Sequence, residues 1–285
     1  MICSVIIILT LMITHILIPT DFSAVANNAL SYAIDLAKKT GAQIHVLHVK
    51  HVPVMDASFP AETYQIYLDE IDKAAKMGME ELEKNILKTS GVKYDLQTVM
   101  GFVHDELQHF VKRHDIDLIV MGTTGASGLQ EILIGSNAAS VVSKSEVPVM
   151  VIPHSAKPSD FKHLLYASDY NEPEFPAVSR LIYFADLFHS KITVLHVKTE
   201  YDFYMNSERN FFKRNKDNIS HHDITVVNMD KIETTDAINQ LIDEKQVDLL
   251  VLAKHNRSWF DRLFHRSFSK RMAFHTKIPL LVLNK

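Results

Sequence analysis

The feature that most constrains the fold of this chain is an internal repeat. Residues 15–23, HILIPTDFS, return as residues 163–171, HLLYASDYN, and residues 44–50, IHVLHVK, return as residues 192–198, ITVLHVK. Each pair is separated by 148 residues. A unit of this length carries several strands and helices, so the repeat indicates two tandem domains rather than a solenoid of short units. A chain of 285 residues accommodates two domains of ordinary size.

The second copy of the repeat is shorter than the first. Residues 117–121, DLIVM, match residues 248–252, DLLVL, at an offset of 131 residues. The second copy has therefore lost residues between its second and fourth strands. We predict four regions: an apolar N-terminal extension at 1–14, a first domain at 15–153, a polar linker at 154–160 and a second domain at 161–285.

Aliphatic runs alternate with segments of helical periodicity in each copy. In the first copy this alternation predicts strands at 15–19, 43–50, 94–100, 118–121 and 149–152, and helices at 25–40, 61–88, 104–114 and from 136. It is typical of α/β domains that have a mainly parallel sheet with helices on both faces. The second copy has the shorter segment 200–218 where the first has its longest helix.

A glycine-rich loop follows the fourth predicted strand of the first copy. Two residues separate Gly122 from Gly125, and nine residues separate Gly125 from Gly135, which with Ser136 opens the next helix. Glycine allows positive φ and leaves no Cβ near a ligand, and a helix start offers unpaired N–H groups with partial positive charge. Because open α/β sheets bind ligands at the carboxyl ends of their strands, we predict a phosphate site here. The alternative is a turn that keeps its glycines for close packing.

These glycines, with the segment 19–21 (PTD) after the first strand and the segment 47–49 (LHV) on the second, resemble the universal stress protein family in its tandem form. The resemblance implies two tandem Rossmann-like domains of the adenine nucleotide alpha hydrolase type. Each would have a five-stranded sheet in the order 3-2-1-4-5, and the two would pair through their last strands as a pseudo-dimer. It also implies ATP as the ligand, with Mg²⁺ on its phosphates. The residues implied to bind the nucleotide are Pro19, Thr20, Asp21, Val49, Met121, Gly122, Gly125, Gly135, Ser136 and Asn137.

The resemblance also implies a role for each part of this set. Asp21 would meet the adenine, although it is also a candidate N-cap of the following helix. The main chain of Val49 would meet the edge of the base, while the three glycines and Ser136 would hold the ribose and phosphates. Family members often carry a basic residue after the second glycine, whereas this chain has Ala126. The phosphate charge would then rest on backbone dipoles and Mg²⁺.

The equivalent loop of the second copy has none of the three glycines. Its residues 253–256 read AKHN, and Arg266 stands where the first copy has Gly135. Asp169 and Val197 keep the adenine-side positions. We predict that the second domain does not bind ATP and supports the first. Binding of another anion by its basic residues stays open: these are Lys254, His255, Arg257 and Arg266.

Composition narrows the classes of partner. The net charge of -4 gives no indication of nucleic acid, and Cys3, the single cysteine, excludes a disulfide framework. We also expect no metal site, because the 16 histidines show no paired helical spacing of ligands.

Residues 1–13 are apolar but shorter than the ~20 needed to span a bilayer, and they lack a signal-peptide pattern. We expect a cytoplasmic protein that starts at Met12, with a membrane anchor as the alternative.

The function that we predict is an ATP-binding regulator of the stress response, with its nucleotide held by the first domain. One alternative is a slow ATPase or phosphate-transfer enzyme, but the sequence has no P-loop lysine motif and no placed general base. We therefore expect no enzymatic role. The other alternative is an interaction module without nucleotide. A homodimer of the whole chain is compatible with each of these.

Overall fold

The computed structural model describes residues 12–51, 60–123, 135–168, 170, 175–197, 213, 215, 219, 221–230, 232–254 and 277–284. Several predicted features lie outside these residues. In the first half they are the segment 1–11 and the loop 124–134, which contains Gly125 and Ala126. In the second half they are Asp169, residues 200–212 and the segment 255–276 with Arg266.

Strands and helices alternate through both halves. The first half contains β1 (His15–Pro19), α1 (Ala24–Thr40), β2 (Gln43–Lys50), α2 (Ala61–Leu82), β3 (Tyr94–Met100), α3 (Val103–Arg113), β4 (Leu118–Gly122), α4 (Ser136–Lys144) and β5 (Val149–Ile152). The second contains β6 (His163–Ala167), α5 (Phe175–Phe188), β7 (Lys191–Val197), β8 (Ile224–Met229), α6 (Thr234–Lys245), β9 (Leu249–Ala253) and β10 (Leu280–Leu283). The prediction of two tandem α/β domains is confirmed.

The strands of the described residues form one continuous sheet. Their order is β3-β2-β1-β4-β5-β10-β9-β6-β7-β8. Neighbouring strands within each half are parallel. Numbered within its own half, each set of five therefore has the order 3-2-1-4-5, which is the order that the family resemblance implies. In the first half the order reverses between β1 and β4, where a ligand crevice is expected.

The two halves join through their last strands. β5 and β10 pair antiparallel, with Val151 opposite Leu280 and Met150 opposite Leu281. These residues are fully buried. An unpaired strand edge invites association with other chains, and this pairing covers both edges at once. The predicted pseudo-dimer of the two halves is therefore present within the chain.

The central strands are apolar on both sides because helices cover both faces of the sheet, whereas the edge strand β3 carries polar residues such as Asp95 and Gln97. On one face Ile16 and Ile18 of β1 pack with Leu30 of α1 in a continuous core. On the other face Leu17 packs in a core with Leu107 of α3 and Val142 of α4. α4, which follows the glycine-rich loop in the sequence, therefore lies on this second face.

The ends of the first two helices follow from particular residues. α1 ends at Gly41, whose φ of 78° is left-handed, as the sequence predicts for a helix stop. The prediction of one α-helix over 61–88 is wrong in its last turn, because residues Glu83–Leu87 form a π-helical turn. Leu82 and Leu87 are both buried, at 5% and 1% exposure. These leucines are five residues apart, and the wider turn brings them nearer to one face of the helix.

The segment between the two halves is held against α1. The Asn28 side chain donates to the carbonyl oxygens of Pro153 and Ala156, at 3.3 and 3.1 Å. The Tyr32 hydroxyl donates to the carbonyl oxygen of Lys157. The predicted linker at 154–160 therefore lies on the surface of the first half.

The entry into β1 is also fixed by contacts from both halves. Ile13 is buried, and its N–H donates to the Tyr183 hydroxyl of α5 at 3.3 Å. The N–H and hydroxyl of Thr14 both donate to Asp117 Oδ2, at 2.7 and 2.8 Å.

Across the described part of the chain, no helix combines the length and apolar character that crossing a membrane requires.

Candidate functional site

The turn after β1 forms one wall of the crevice between β1 and β4. Thr20 is buried, and its N–H donates to the carbonyl oxygen of Leu47 at 2.9 Å, which carries the pairing with β2 past Pro19. Its hydroxyl accepts from the N–H of Phe22 at 3.0 Å. Thr20 therefore fixes the direction in which the chain leaves the sheet.

Asp21 lies on the exposed side of this turn. Its Oδ1 accepts from the N–H of Ser23 at 3.1 Å, which forms a local side-chain turn. The N-cap of α1 is Ser23, whose hydroxyl accepts from the N–H of Ala26 at 3.2 Å. The alternative role of Asp21 as N-cap is therefore wrong. The Asp21 carboxylate is placed at the mouth of the crevice instead.

Phe22 and His48 form a layer under this turn that the sequence reasoning missed. Phe22 has a left-handed φ of 64°, and its ring lies 4.5 Å from the ring of His48. His48 Nδ1 lies 2.8 Å from the carbonyl oxygen of Thr20, so Nδ1 carries the proton of this hydrogen bond. A Cβ on Gly78 of α2 would come within 2.7 Å of the Phe22 ring. The turn is thus packed from below, and no periodic pattern in the sequence reports such a contact.

Val49 lies on β2 beyond the end of β1. The carbonyl oxygen of Lys50 accepts from the N–H of Gly101 at 3.1 Å, so the N–H and carbonyl of Lys50 face β3. Successive residues of a strand direct their peptide groups to opposite neighbours. The N–H and carbonyl of Val49 therefore face the other way, past the point where β1 ends at Pro19. This is the direction that a contact with the edge of a base requires.

Gly122 ends β4 for a reason other than the one that the sequence suggested. Among the described glycines positive φ occurs at Gly41 and Gly91, so Gly122 does not use the left-handed conformation that glycine allows. A Cβ at Gly122 would lie 2.6 Å from Cγ1 of Val25 and 3.2 Å from the Val25 backbone. The missing side chain lets α1 pack against the end of β4. Close packing, which was the alternative reading of the glycines, therefore explains this residue.

The two ends of the glycine loop meet at Thr123. The N–H of Thr123 donates to Ile152 at 3.0 Å, and its carbonyl oxygen accepts from the N–H of Gly135 at 2.6 Å. The chain that leaves the sheet after Gly122 therefore returns beside it. Thr123 is buried and was missed by the sequence reasoning, which followed the glycines alone. Its position directly after Gly122 was the available signal.

This closure places the start of α4 at the carboxyl end of β4. Gly135 is the N-cap of α4, with φ −63° and ψ 160°, and among the described residues no side chain caps the first turn. Ser136 and Asn137 are exposed, whereas Ala138 is buried. The first turn contains no acidic residue. An uncapped helix start with this partial positive charge is suited to an anion.

Met121, the last of the predicted site residues, is buried at the end of β4, at 6% exposure. It is a member of the core on the face of α3 and α4. The structure therefore gathers Pro19, Thr20, Asp21, Val49, Met121 and Gly122 at the carboxyl ends of the strands, with the start of α4 joined to them through Thr123. Gly125 lies outside the described residues.

The second half repeats the adenine-side turn. The N–H of Ser168 donates to Leu195 at 3.0 Å, and the Ser168 hydroxyl accepts from the N–H of Tyr170 at 3.1 Å. His196 Nδ1 lies 2.9 Å from the Ser168 carbonyl oxygen, and its ring stacks on Tyr170 at 4.3 Å. These contacts match those of Thr20, Phe22 and His48. Val197 ends β7 at the position that corresponds to Val49.

The two halves differ on the phosphate side. The N–H of Lys254 donates to Leu283 at 2.7 Å, as that of Thr123 does to Ile152, so the two residues are equivalent. The Lys254 ammonium, however, donates to the carbonyl oxygen of Ser145 in the first half at 3.0 Å. This contact occupies the Lys254 ammonium, which is one of the basic groups for which the sequence left anion binding open.

His222, one of the second-half histidines that could suggest a metal site, contacts a carboxylate. His222 Nε2 lies 2.8 Å from Asp186 Oδ1. Within the described residues no group of three or more histidine, cysteine, aspartate or glutamate side chains has an arrangement that could hold a metal ion.

Comparison with known proteins assigns both halves to one family. The model of the universal stress protein family matches residues 12–153 and, separately, residues 160–284. A universal stress protein of Methanocaldococcus jannaschii, MJ0531, is 36% identical over 139 residues, which are 48% of this chain and 80% of the relative. The universal stress protein YxiE of Bacillus subtilis is 31% identical over 147 residues, which are 50% of this chain and 99% of the relative.

A solved structure matches the chain over both halves. It is the crystal structure of a universal stress protein from Archaeoglobus fulgidus, with a TM-score of 0.74. The match covers 95% of this chain and 98% of that one, at 20% sequence identity. At this identity the match establishes the fold of the two halves and no detail of the site.

Proposed function

Since both halves of this chain belong to the universal stress protein family, we propose that the chain is an ATP-binding regulator of the stress response whose first half alone holds the nucleotide. The observation that carries this proposal is the contact between the Thr123 carbonyl oxygen and the Gly135 N–H, at 2.6 Å. It brings an uncapped helix start to the carboxyl end of β4, beside the point where the strand order reverses.

The phosphate side of the proposed site consists of main chain. The first-turn N–H groups of α4, at Ser136 and Asn137, would donate to phosphate oxygens, which are stronger acceptors than neutral oxygens because they are charged. Gly135 adds no side chain to the approach. Mg²⁺ would arrive with the phosphates, because this hard cation binds oxygen and usually needs only one or two protein carboxylates.

The adenine side is supported by Asp21 and Val49. One oxygen of Asp21 holds the turn through Ser23, and a carboxylate has further lone pairs that could accept from an exocyclic amine. The peptide groups of Val49 face the space beyond β1, where they would bond the edge of the base. The second half repeats this side, but Lys254 replaces Thr123 and its ammonium contacts the other half. We therefore propose one nucleotide per chain.

A regulatory rather than enzymatic role is part of the proposal. The imidazole of His48 and the carboxylate of Asp21 lie at the turn after β1, on the proposed adenine side. The described residues on the proposed phosphate side, Thr123, Ser136 and Asn137, have no side chain that can act as a general base. Steady-state hydrolysis on the order of one per second, abolished by substitution of Asp21 or Ser136, would favour an enzyme instead. We further propose that the chain acts in the cytoplasm, where a nucleotide-dependent regulator finds ATP, and leave a homodimer as a proposal.

Calorimetric titration of the full chain with Mg-ATP tests this function. We expect a stoichiometry of one, and we expect Gly135→Arg, which copies Arg266 of the second half, to weaken binding at least about tenfold. The variant should fold, because the φ and ψ of Gly135 are open to any residue. Gly135→Ala should have a smaller effect, since it adds only a Cβ.

The matched control is Asn239→Arg, which adds the same charge to an exposed position of α6 in the second half. Its affinity for Mg-ATP should equal that of the parent chain. Two sites per chain would contradict the assignment to the first half. Unchanged binding in Gly135→Arg would contradict the site, and no binding by the parent chain would favour an interaction module without nucleotide.

A further inference from the structure

The Lys254 side chain connects the second half to a helix of the first. Its ammonium donates to the carbonyl oxygen of Ser145 at 3.0 Å, and the buried Asn284 side chain donates to the same oxygen at 3.1 Å. Burial lowers the pKa of the Lys254 ammonium, and the nearby Glu146 carboxylate opposes that shift. Two residues of the second half therefore converge on one carbonyl group of the first.

Ser145 is the C-cap of α4, the helix whose other end forms the proposed phosphate site. α4 has nine residues, so its two ends are about 13 Å apart. The last carbonyl groups of a helix lack partners within the helix and carry partial negative charge. An ammonium and an amide at this end satisfy that carbonyl and complement the charge. The second half thus holds the far end of the helix that would meet the phosphates.

The comparison between the halves shows that this contact belongs to one copy. Lys254 is equivalent to Thr123, because both donate their N–H to the last strand of their own half. Thr123 is a short, buried side chain that lies between the ends of the glycine loop. The lysine at 254 cannot fit that role, but its length lets it reach across the interface. The second half thus has a lysine in place of the threonine of the first half, and this lysine supports the site of the first half.

We infer that Lys254 is a positioning residue for the nucleotide site of the first half, acting through α4. This inference rests on the proposed function. With the C-terminal end of α4 held by Lys254 and Asn284, the N–H groups of Ser136 and Asn137 keep a fixed position relative to the end of β4. Binding at one end of α4 and the contact at its other end then favour each other, as two coupled sites must.

Titration of Lys254→Met with Mg-ATP tests this inference, because methionine keeps much of the side-chain volume and removes the charge and the donor. We expect the dissociation constant to rise about two- to fivefold, the range typical of charge interactions at helix ends. Lys254→Arg, which keeps a charged donor, should recover a large part of the affinity. Hydrogen exchange should quicken at the amides of α4 in Lys254→Met, while the amides of β1 and β2 keep their protection.

The matched control is Lys191→Met, which removes the same charge from an exposed position of the second half and should leave the affinity unchanged. An unchanged dissociation constant in Lys254→Met, with normal binding by the parent chain, would overturn the role of Lys254 and leave the proposed function intact. A parent chain that binds no Mg-ATP would overturn both. A uniform loss of protection in every element of Lys254→Met would also overturn the inference about Lys254, because that result would show that Lys254 stabilises the whole fold and not α4 in particular.

Discussion

His15 Nδ1 lies 2.9 Å from His45 Nε2, which joins the first two strands of the sheet through their imidazoles. The other nitrogen of His45, Nδ1, lies 2.5 Å from Asp95 Oδ1 on β3. His114, after α3, brings a third imidazole within 5.7 Å of the His45 ring. Asp95 is held in turn by the side-chain amide of Gln97 at 3.0 Å. This chain of titratable groups crosses the amino ends of the strands, away from the proposed nucleotide site.

The second half has a neutral version of the same contact. His163, the counterpart of His15, has Nε2 at 2.8 Å from the Thr193 hydroxyl. Its Nδ1 lies 2.9 Å from the Lys245 carbonyl oxygen. Thr193 and Thr225 are paired on β7 and β8, as His45 and Asp95 are on β2 and β3. The connected series of titratable side chains is therefore specific to the first half.

His45 should make the stability of the first half depend on pH. Burial lowers its pKa below the ordinary 6.5; the Asp95 carboxylate opposes this shift, and His15 and His114 add to it. The unfolded state then binds more protons than the folded state just below pH 6.5, so stability rises with pH in that window. We expect the free energy of unfolding to fall as the pH drops from 7.5 to 5. Urea denaturation at several pH values measures it.

The replacement His45→Thr copies Thr193 and should flatten this dependence, whatever it does to the absolute stability. The control His109→Thr, at an exposed position on α3, should keep the slope of the parent chain. An equal slope in His45→Thr and the parent would show that other groups cause the pH dependence.

A second prediction concerns the packing of α1 on β4. Because a Cβ at Gly122 would lie 2.6 Å from Cγ1 of Val25, Gly122→Ala forces the helix away from the strand. We expect a loss of about 1–3 kcal/mol in the free energy of unfolding, as is typical of overpacked sites. Adding Val25→Ala removes the nearest contact but leaves the backbone at 3.2 Å. The double variant should therefore lose less than the sum of the two single losses, and strict additivity would contradict the steric explanation.

A third prediction concerns Tyr32, which holds the segment between the halves. Burial, with smaller contributions from Asp248 and Asp35, raises the pKa of its hydroxyl to about 12. The hydroxyl therefore stays protonated and donates to Lys157 throughout the neutral range. Tyr32→Phe should cost about 1 kcal/mol of stability. Thermal and urea unfolding measure this loss, and Tyr64→Phe on α2 is the control that should leave stability unchanged.

The fold could be predicted from the sequence because the patterns that indicate its strands and helices are local and occur in both copies. The aliphatic runs at 118–121 and 149–152 are buried strands, and Gly41 ends α1 as a left-handed residue. The π-helical turn after Leu82 was not accessible, because an α-helix and a widened turn have the same residue preferences. The difference arises only when Leu87 packs into the core.

The site was accessible only in part, since motif spacing locates a loop but not its contacts. Gly122 was predicted for its backbone freedom, whereas its neighbour across space, Val25, explains it. Thr123 and Lys254 were not singled out as a pair, although each directly follows an aligned strand. Their different roles depend on the distance from Lys254 to Ser145, in the other half, which no pattern within one copy encodes.

The last prediction separates the two roles of Asp21. Its Oδ1 holds the turn through the Ser23 N–H, and an asparagine side chain keeps a carbonyl oxygen that can accept in the same way. Asp21→Asn should therefore keep the stability of the parent chain but weaken the binding of Mg-ATP about three- to tenfold, because an NH₂ donor replaces the second carboxylate oxygen. Asp21→Ala removes both acceptors, so we expect about 1 kcal/mol less stability and roughly tenfold weaker binding. Calorimetric titration and urea unfolding of both variants measure the two effects. If Asp21→Ala binds Mg-ATP like the parent while its stability falls, Asp21 serves the turn alone, and the adenine is recognised by the main chain.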